Sequence, residues 1–530
     1  MKVLLESLSF ELSSNAFTLV CAFDCTMSIP EYFEGQTVFL TGSTGSVGSV
    51  FLEKLLRSCK GVKKIYVLVR PRNGVSSADR VCSLLQLPLF ADVDKSDFGK
   101  VEAVSGDVTL EDMGISKEVL QRLISEVTIV FHAAARVFFN ATLKSAVLSN
   151  LIGTKRILDL CHQMLKLESL IYVSTAYSNC TIQETRERLY PIDCSPEEVI
   201  NMVETFPDEA LEKITKRLLG QHPNTYTFSK QLAEHLVTEG RGHVKLAIVR
   251  PSIVLGTWRE PFPGWLDAST GATGFIAGAG AGCFRTSQVV PYKVADLVPT
   301  DILVNVMLAA AWNLAQPQSE TFQIYHVTSG LRNPITWGQY TEYIDEAISE
   351  YPMRRILWYP RAKARGSKWR NDFVVRLFQL WPSYLLDALR NALSSKRQES
   401  LVAIQQKFIR GMKHTRFFCT RQWRFHDTNT RALQEKLLPE DQEAFDMSIA
   451  RVEWRSHLTN CVKGIRQHFH KDPPQTLERA RKNLQRWKMI HFGAHVAAFL
   501  WIAYVAFLAL GDALAALITS ALVVGFIIWV

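Results

Sequence analysis

Apolar residues in the first half of the chain fall in short runs separated by amphipathic stretches. The runs lie at 37–40, 65–69, 101–104, 128–131, 170–173 and 245–249. Their length and their Val, Ile, Leu and Phe content suit strands buried on both faces. Strand-like runs alternating with helical stretches predict an α/β fold, a doubly wound parallel (Rossmann) sheet with helices on both faces. Such sheets bind ligands at the carboxyl ends of their strands. Residues 259–282 are rich in Gly, Pro and Trp, which predicts a loop-rich substrate region. The glycine run at 271–282 lacks the Gly-Lys-Ser/Thr ending of a phosphate loop and reads as a flexible loop on the substrate side.

The pattern changes beyond residue 360, where the chain becomes helical and basic with Trp and Phe at intervals. It changes again at 493–510 and 513–530, two apolar stretches separated by Gly511-Asp512. Eighteen residues make a helix of roughly 27 Å at about 1.5 Å per residue, close to a hydrocarbon core of about 30 Å. Arg481, Lys482, Arg486, Trp487 and Lys488 precede them, a cationic flank with an aromatic anchor. These features predict a C-terminal membrane hairpin in a lipid bilayer, with the catalytic domain facing the cytosol. The expected domains are a poorly ordered leader at 1–27, a catalytic domain with its substrate region at 28–355, a mostly helical C-terminal domain at 356–475 and membrane-associated segments at 489–530.

Composition narrows the class. Of 530 residues, 47% are hydrophobic and 21% charged, which is globular rather than disordered. The formal charge of +9 suits a phosphate-bearing ligand or a membrane surface. No zinc finger, RNA-binding signature or long basic run is present, so nucleic acid is not an expected partner. The ten cysteines are scattered, without metal or redox spacing, which points to a reducing compartment.

The first run leads into Thr41-Gly42-Ser43-Thr44-Gly45-Ser46-Val47-Gly48 and then a helix over about 50–57. In a strand–turn–helix unit, Gly42 permits the tight turn, Gly45 lets backbone approach a pyrophosphate, and Gly48 lets helix and strand pack closely. The helix N-terminus offers free N–H groups to phosphate. The second run ends Val69-Arg70-Pro71-Arg72, with no acid for a ribose hydroxyl. Two guanidiniums suit a 2′-phosphate, so the expected cofactor is NADPH. Asp107 and Val108, after the third run, are placed near the adenine. Ala133 and Ala134, after the fourth, form a small-residue shelf for ribose and nicotinamide.

Tyr226 and Lys230 are four apart and share one helix face. An ammonium nearby favours a phenolate, so Lys230 is expected to lower the Tyr226 pKa and to hold the nicotinamide ribose, while Tyr226 donates a proton to a carbonyl oxygen. The fifth run ends in Ser174-Thr175, whose hydroxyls can bond the substrate oxygen, Thr175 ahead of Ser174. Asn150 is placed to order water behind Lys230. The backbone of Pro251, Ser252 and Ile253 is placed to hold the carboxamide.

Taken in order, TGxxGxxG, the alanine shelf, the hydroxyl-bearing strand end and YxxxK resemble the extended short-chain dehydrogenase/reductases. More narrowly, the chain resembles the eukaryotic fatty acyl-CoA reductases. The likeness is carried by Ile29-Pro30-Glu31-Tyr32-Phe33, Val69-Arg70-Pro71-Arg72, the stretch from Tyr172 to Asn179, the stretch from Tyr226 to Lys230, Arg250-Pro251-Ser252-Ile253-Val254, and the segments 260–265 and 325–330. Trp358-Tyr359-Pro360, Phe445-Asp446, Trp454 and Gly464-Ile465-Arg466 resemble that family's helical domain. The resemblance implies NADPH-dependent reduction of a long-chain fatty acyl-CoA to a fatty alcohol through an enzyme-held aldehyde. It leaves a homodimer open and sets the endoplasmic reticulum as the expected membrane, with the peroxisome as the alternative. A hydroxysteroid dehydrogenase of the same superfamily and a non-catalytic NADPH sensor are the competing readings. Asn140, Thr142 and His326 depart from the family's pattern (His326 stands where Asn is usual), and the leader before Met27 has no counterpart.

Overall fold

Six apolar runs become six parallel strands, and a seventh strand joins them. The structure is a computed structural model that describes residues 27–266, 271–393 and 400–529. The strands are β1 (Thr37–Thr41), β2 (Lys64–Val69), β3 (Val101–Ser105), β4 (Ile129–His132), β5 (Ser169–Val173), β6 (Leu246–Pro251) and β7 (Phe322–Val327). Their order across the sheet is β7-β6-β5-β4-β1-β2-β3. Strand order reverses between β1 and β4, which pair in parallel with Thr41 opposite His132. The segments that leave these two strands, the glycine turn and the alanine shelf, therefore lie side by side at the switch point where such sheets bind dinucleotides.

Alternation fills both faces. Val38 and Leu40 of β1 enter one core while Phe39 enters the other. The helix Thr300–Ala315 covers the first face, buried along nearly its whole length, and Thr225–Glu239 covers the second. Full burial of one Leu or Phe side chain contributes about 1.5–3 kcal/mol, so these two helices fix the sheet between them. Strand β7 escapes the apolar-run reading because Gln323 and His326 interrupt it. It is an edge strand, and its free edge is covered: Asn429 donates to the Ile324 carbonyl at 2.9 Å.

The glycine run is not a loop. Residues Gly271–Gly280 form a helix. Its small residues serve close packing: a Cβ at Gly278 would lie 2.3 Å from the Phe408 ring. At Gly282, with φ of +67°, a Cβ would lie 2.0 Å from the Trp358 carbonyl oxygen. The run joins the catalytic part to the C-terminal helices.

Those helices include Trp381–Leu393, Leu401–Cys419, Thr428–Lys436 and Trp454–Gly464. Glu187 ties them to the sheet. Its carboxylate accepts from the backbone N–H of His326 at 2.9 Å and of Asn429 at 2.6 Å, at the start of the helix Thr428–Lys436. Arg424–Phe425 adds a short parallel pairing to Glu184–Thr185.

The C-terminus forms the helix Leu477–Leu510, closed by Gly511 in the left-handed conformation, and then the helix Ala513–Trp529. The two pack against each other. By length and composition, Pro474–Leu510 is long and apolar enough to cross a membrane, and the apolar window within it has none of its residues buried. The second helix is shorter, so among the described residues one helix meets that test. The leader expected at 1–27 lies outside the described residues apart from Met27, whose carbonyl accepts from the Trp312 indole at 2.6 Å.

Candidate active site

The glycine turn is set by contacts that exclude side chains. Gly42 has φ of +81°, and a Cβ there would sit 2.8 Å from the Ala133 carbonyl carbon and the Ala134 nitrogen. At Gly48 a Cβ would lie 2.2 Å from the Gly42 oxygen, so the helix Ser46–Ser58 can meet the turn only through glycine. Gly45 is exposed and meets nothing closer than the Gly42 oxygen at 3.3 Å, so any demand for glycine there comes from outside the protein. Thr44, Ser46 and Val47 stay partly exposed around the helix start. The Thr41 hydroxyl accepts from the Ala134 N–H at 3.2 Å and bonds the His132 ring at 2.7 Å, which locks the shelf to the turn. Ser43 has a buried hydroxyl with no protein partner. A cradle closed to Cβ atoms, a helix N-terminus and an unpartnered hydroxyl fit the pyrophosphate of a dinucleotide.

Beyond β2 the charge is basic. Arg70 is 61% exposed on its side chain and pairs with Asp107 at 3.4 Å. Arg72 is exposed in the turn that follows. Sequence reasoning missed Arg80, on the helix Ser77–Leu85, whose guanidinium donates to the Arg70 carbonyl. Desolvation lowers the Arg80 pKa, and the charges of Arg70 and Arg72 lower it further, so the three cations share one field. Asp107 is committed to Arg70 and to the Thr109 backbone at 3.0 Å. The Val108 carbonyl is held by Arg156 at 2.9 Å.

Tyr226 and Lys230 lie on the helix Thr225–Glu239, capped by the Asn224 side chain on the Thr227 N–H. The Lys230 ammonium takes its hydrogen bonds elsewhere than on Tyr226. The Lys230 ammonium is buried and donates to the Val173 carbonyl at 2.7 Å and the Tyr172 hydroxyl at 3.3 Å. Burial lowers its pKa to about 7, against the opposing pull of Glu234. Packed protein around the Tyr226 phenol pushes it up to about 12; the Thr175 hydroxyl draws it down, and the Glu234 charge raises it. Thr175 therefore faces the phenol, while its hydroxyl reaches the Pro251 carbonyl at 3.4 Å. The neighbouring Ser174 hydroxyl is buried and unpartnered.

Asn150 sits in a π-helical turn, Leu148–Ile152, with its amide fully used. It accepts from the Arg136 N–H at 2.8 Å and donates to the Ser229 hydroxyl at 3.0 Å. It thus ties the shelf segment to the residue beside Lys230. Pro251 has no N–H. Those of Ser252 and Ile253 are spent on the Val327 and Asp296 carbonyls at 3.0 and 3.2 Å. This stretch retains a buried Ser252 hydroxyl but no free N–H.

Beneath the helix Thr225–Glu239 lies a network with no sequence signal beyond the motif containing Arg250. Arg250 is fully buried and forms two hydrogen bonds of 2.8 Å to Glu234. It also donates to the His326 ring at 3.2 Å, and that ring bonds the His426 carbonyl at 2.7 Å. His326, which departs from the family's pattern, is thus built into the support of the site. The helical domain also reaches the site from above. Phe418 packs 5.3 Å from Phe139 and 5.0 Å from Tyr177, and Phe139 lies 5.9 Å from the Tyr226 ring.

A switch-point glycine cradle, a hydroxyl-bearing strand end and a Tyr–Lys helix define an NAD(P)-binding oxidoreductase of the extended short-chain dehydrogenase type. Comparisons with known proteins narrow this. A family described as Male sterility protein matches over residues 40–307 by its NAD-binding part and over 378–472 by its C-terminal part. Fatty acyl-CoA reductase 2 of Bos taurus is 34% identical over 475 residues, covering 89% of this chain and 92% of that protein. Fatty acyl-CoA reductase 1 of Xenopus laevis is 34% identical over 486 residues, covering 91% and 94%. The chain belongs to the fatty acyl-CoA reductase family. Among solved structures, the terminal reductase domain of the myxalamid PKS-NRPS pathway aligns with a TM-score of 0.56 at 19% identity, over 88% of this chain and 98% of that one. The reductase domain of a nonribosomal peptide synthetase from Mycobacterium tuberculosis gives 0.54 at 20% identity, over 85% and 95%. At such identities the likeness speaks for the fold alone.

Proposed function

We propose that this protein reduces long-chain fatty acyl-CoA to fatty alcohol with NADPH, through an aldehyde kept on the enzyme. The carrying observation is the Tyr226 phenol facing the Thr175 hydroxyl, on a helix that Asn150 ties to the shelf beside the glycine turn, in a chain of this family. Thr41 to Gly48, Ala133 and Ala134 would hold the cofactor's pyrophosphate and ribose, and Arg70 and Arg72, with Arg80, its 2′-phosphate. Bound NADPH supplies hydride, two equivalents for each acyl group taken to the alcohol.

The chain's own residues do the rest. Charge develops on the acyl oxygen in both reductions, first as the thioester carbonyl becomes tetrahedral and again as the aldehyde becomes an alcohol. Thr175, with Ser174 beside it, donates a hydrogen bond to that oxygen, and Tyr226 gives it a proton. A pKa near 12 suits a donor that keeps its proton until the oxygen becomes alkoxide-like. Lys230 gives up a proton more readily than an ordinary lysine, since burial holds it near 7, and it can resupply the phenol. Asn150 holds the backbone that brings this helix against the shelf.

An apolar C-terminal helix long enough to cross a membrane supports an enzyme working beside the bilayer into which long-chain substrate partitions. The proposed membrane is the endoplasmic reticulum, with the peroxisome as the alternative and the catalytic domain in the cytosol. The domain bounds of 28–355, 356–475 and 489–530 go with this reading, and a homodimer is compatible with it. The test is product analysis of the full chain in detergent, with NADPH and a panel of acyl-CoAs. Thiol release with alcohol formation, and two NADPH consumed per thiol, is the expected result. Absence of thiol release across the panel would sink the proposal.

A further inference from the structure

We propose that the exposed basic face of the helix Leu401–Cys419 is the docking site for the phosphate-bearing nucleotide end of coenzyme A. The inference rests on the acyl-CoA reading above and extends it to a part of the chain that the catalytic chemistry does not use.

Between Ser400 and His426 there is no Asp or Glu, while Lys407, Arg410, Lys413, Arg416, Arg421 and Arg424 all occur there. The helix has two unlike faces. Ile404, Phe408 and Met412 pack against the core, Phe408 lying 5.7 Å from Phe284. On the other side Lys407, Arg410, Lys413 and His414 are exposed, and a Cβ at Gly411 would meet nothing within 4 Å. The result is an open trough floored by a glycine and edged by cations. Among the described residues no carboxylate pairs with Lys407, Arg410, Lys413 or Arg421, whereas helix cations elsewhere have acids one turn away, as in Arg57–Glu53 and Lys155–Asp159. An unneutralised cationic face of this kind attracts a polyanion.

Its direction fits the substrate. In the last turn of the helix stands Phe418, whose ring meets Phe139, and Phe139 meets Tyr226. Arg421 lies over the Phe417 ring at 4.0 Å, beside that end. From Phe418 back to Lys407 is roughly 17 Å at about 1.5 Å per residue. A thioester carbonyl at Tyr226 with its pantetheine arm laid along the trough would bring the diphosphate and the 3′-phosphate to Arg410 and Lys407.

The experiment compares two thioesters on one enzyme. The full chain in detergent, with no lipid present, is assayed with an acyl-CoA and with the matching S-acyl pantetheine, which lacks the nucleotide. In Lys407→Glu/Arg410→Glu the ratio of kcat/KM for acyl-CoA to that for acyl pantetheine is expected to fall at least ten-fold, carried by KM, with a smaller fall in Lys407→Ala/Arg410→Ala. Raising the salt concentration should lower the same ratio in the parent enzyme and leave the charge-reversed one nearly flat. Because both thioesters report on the same preparation, partial misfolding cancels in the ratio. A ratio unchanged while both thioesters are reduced overturns the docking site and leaves the enzymatic reading intact. A parent enzyme that reduces neither thioester overturns the enzymatic reading itself. If charge reversal changes activity only when anionic vesicles are added, and equally for both thioesters, the face serves lipid phosphate and the proposal fails.

Discussion

Arg250 and Glu234 meet through two parallel 2.8 Å hydrogen bonds, both side chains almost fully buried, with Glu234 one turn beyond Lys230 on the helix Thr225–Glu239. This fork joins β6 to the helix that carries Tyr226. Removing one partner strands a charge where water cannot reach it. Arg250→Met is therefore expected to lose about 3–5 kcal/mol of stability. Glu234→Gln/Arg250→Met should recover much of that loss, because no unpaired charge remains. Denaturant titration of the parent, the single and the double variant checks this; a double variant no more stable than Arg250→Met would show that the pair's charge is not the issue.

Acid should loosen the same network. Burial lowers the His326 pKa to about 3, with the Arg250 charge adding to the effect. Between about 3 and the ordinary 6.5 the unfolded chain binds a proton that the folded one does not. Stability is thus complete above 6.5 and falls as pH drops toward 3, by at most about 1.4 kcal/mol per pH unit from this residue. Asn can accept from Arg250 and donate to the His426 carbonyl in its place. In His326→Asn the acid limb of a stability–pH curve should flatten between pH 6 and 4 while neutral-pH stability changes little.

The glycines of the turn should separate by cause. Gly48→Ala forces a Cβ to 2.2 Å from the Gly42 oxygen and should destabilise the fold by about 1–3 kcal/mol. Gly45→Ala meets only a 3.3 Å contact and should leave stability within about 0.5 kcal/mol, yet raise the Kd for NADPH. Thermal melts beside cofactor titrations distinguish the two. Equal effects on stability would refute the division.

Cofactor preference should follow the basic trio. With Arg70→Ala/Arg72→Ala, loss of charge-assisted bonds worth about 1.5–3 kcal/mol each should cut the NADPH-to-NADH preference by ten-fold or more. Arg80→Ala should cut it less, since its guanidinium also holds the Arg70 carbonyl. Steady-state kinetics with both cofactors provides the measurement.

Tyr226→Phe should lower kcat by about 10²–10⁴ and retain cofactor affinity, because the ring keeps its packing on Phe139 and only the proton donor is lost. Undiminished turnover would transfer the donor role elsewhere, with Thr175 the first residue to examine.

Sequence alone determined what depends on local pattern. Six strands followed from apolar runs whose length leaves little choice but a buried strand, and the glycine turn followed from residues that only one backbone path accommodates. Tyr226 and Lys230 were legible because helical spacing is local, and the family was legible because many short motifs recur in order. Tertiary structure decided what depends on partners distant in the chain. Strand β7 exists because an edge accepts Gln323 and His326, which no apolar run announces. The glycine run at 271–280 is a helix because Phe408 lies against it, and a ring more than a hundred residues away leaves no local mark. Lys230 turns to the Val173 carbonyl instead of lowering the Tyr226 pKa, since burial rewards a lysine that finds an oxygen and penalises one that keeps its charge. Phe418, from the C-terminal helices, packs on Phe139, the ring that lies against Tyr226. Spacing tells which residues share a face; only packing tells what that face meets.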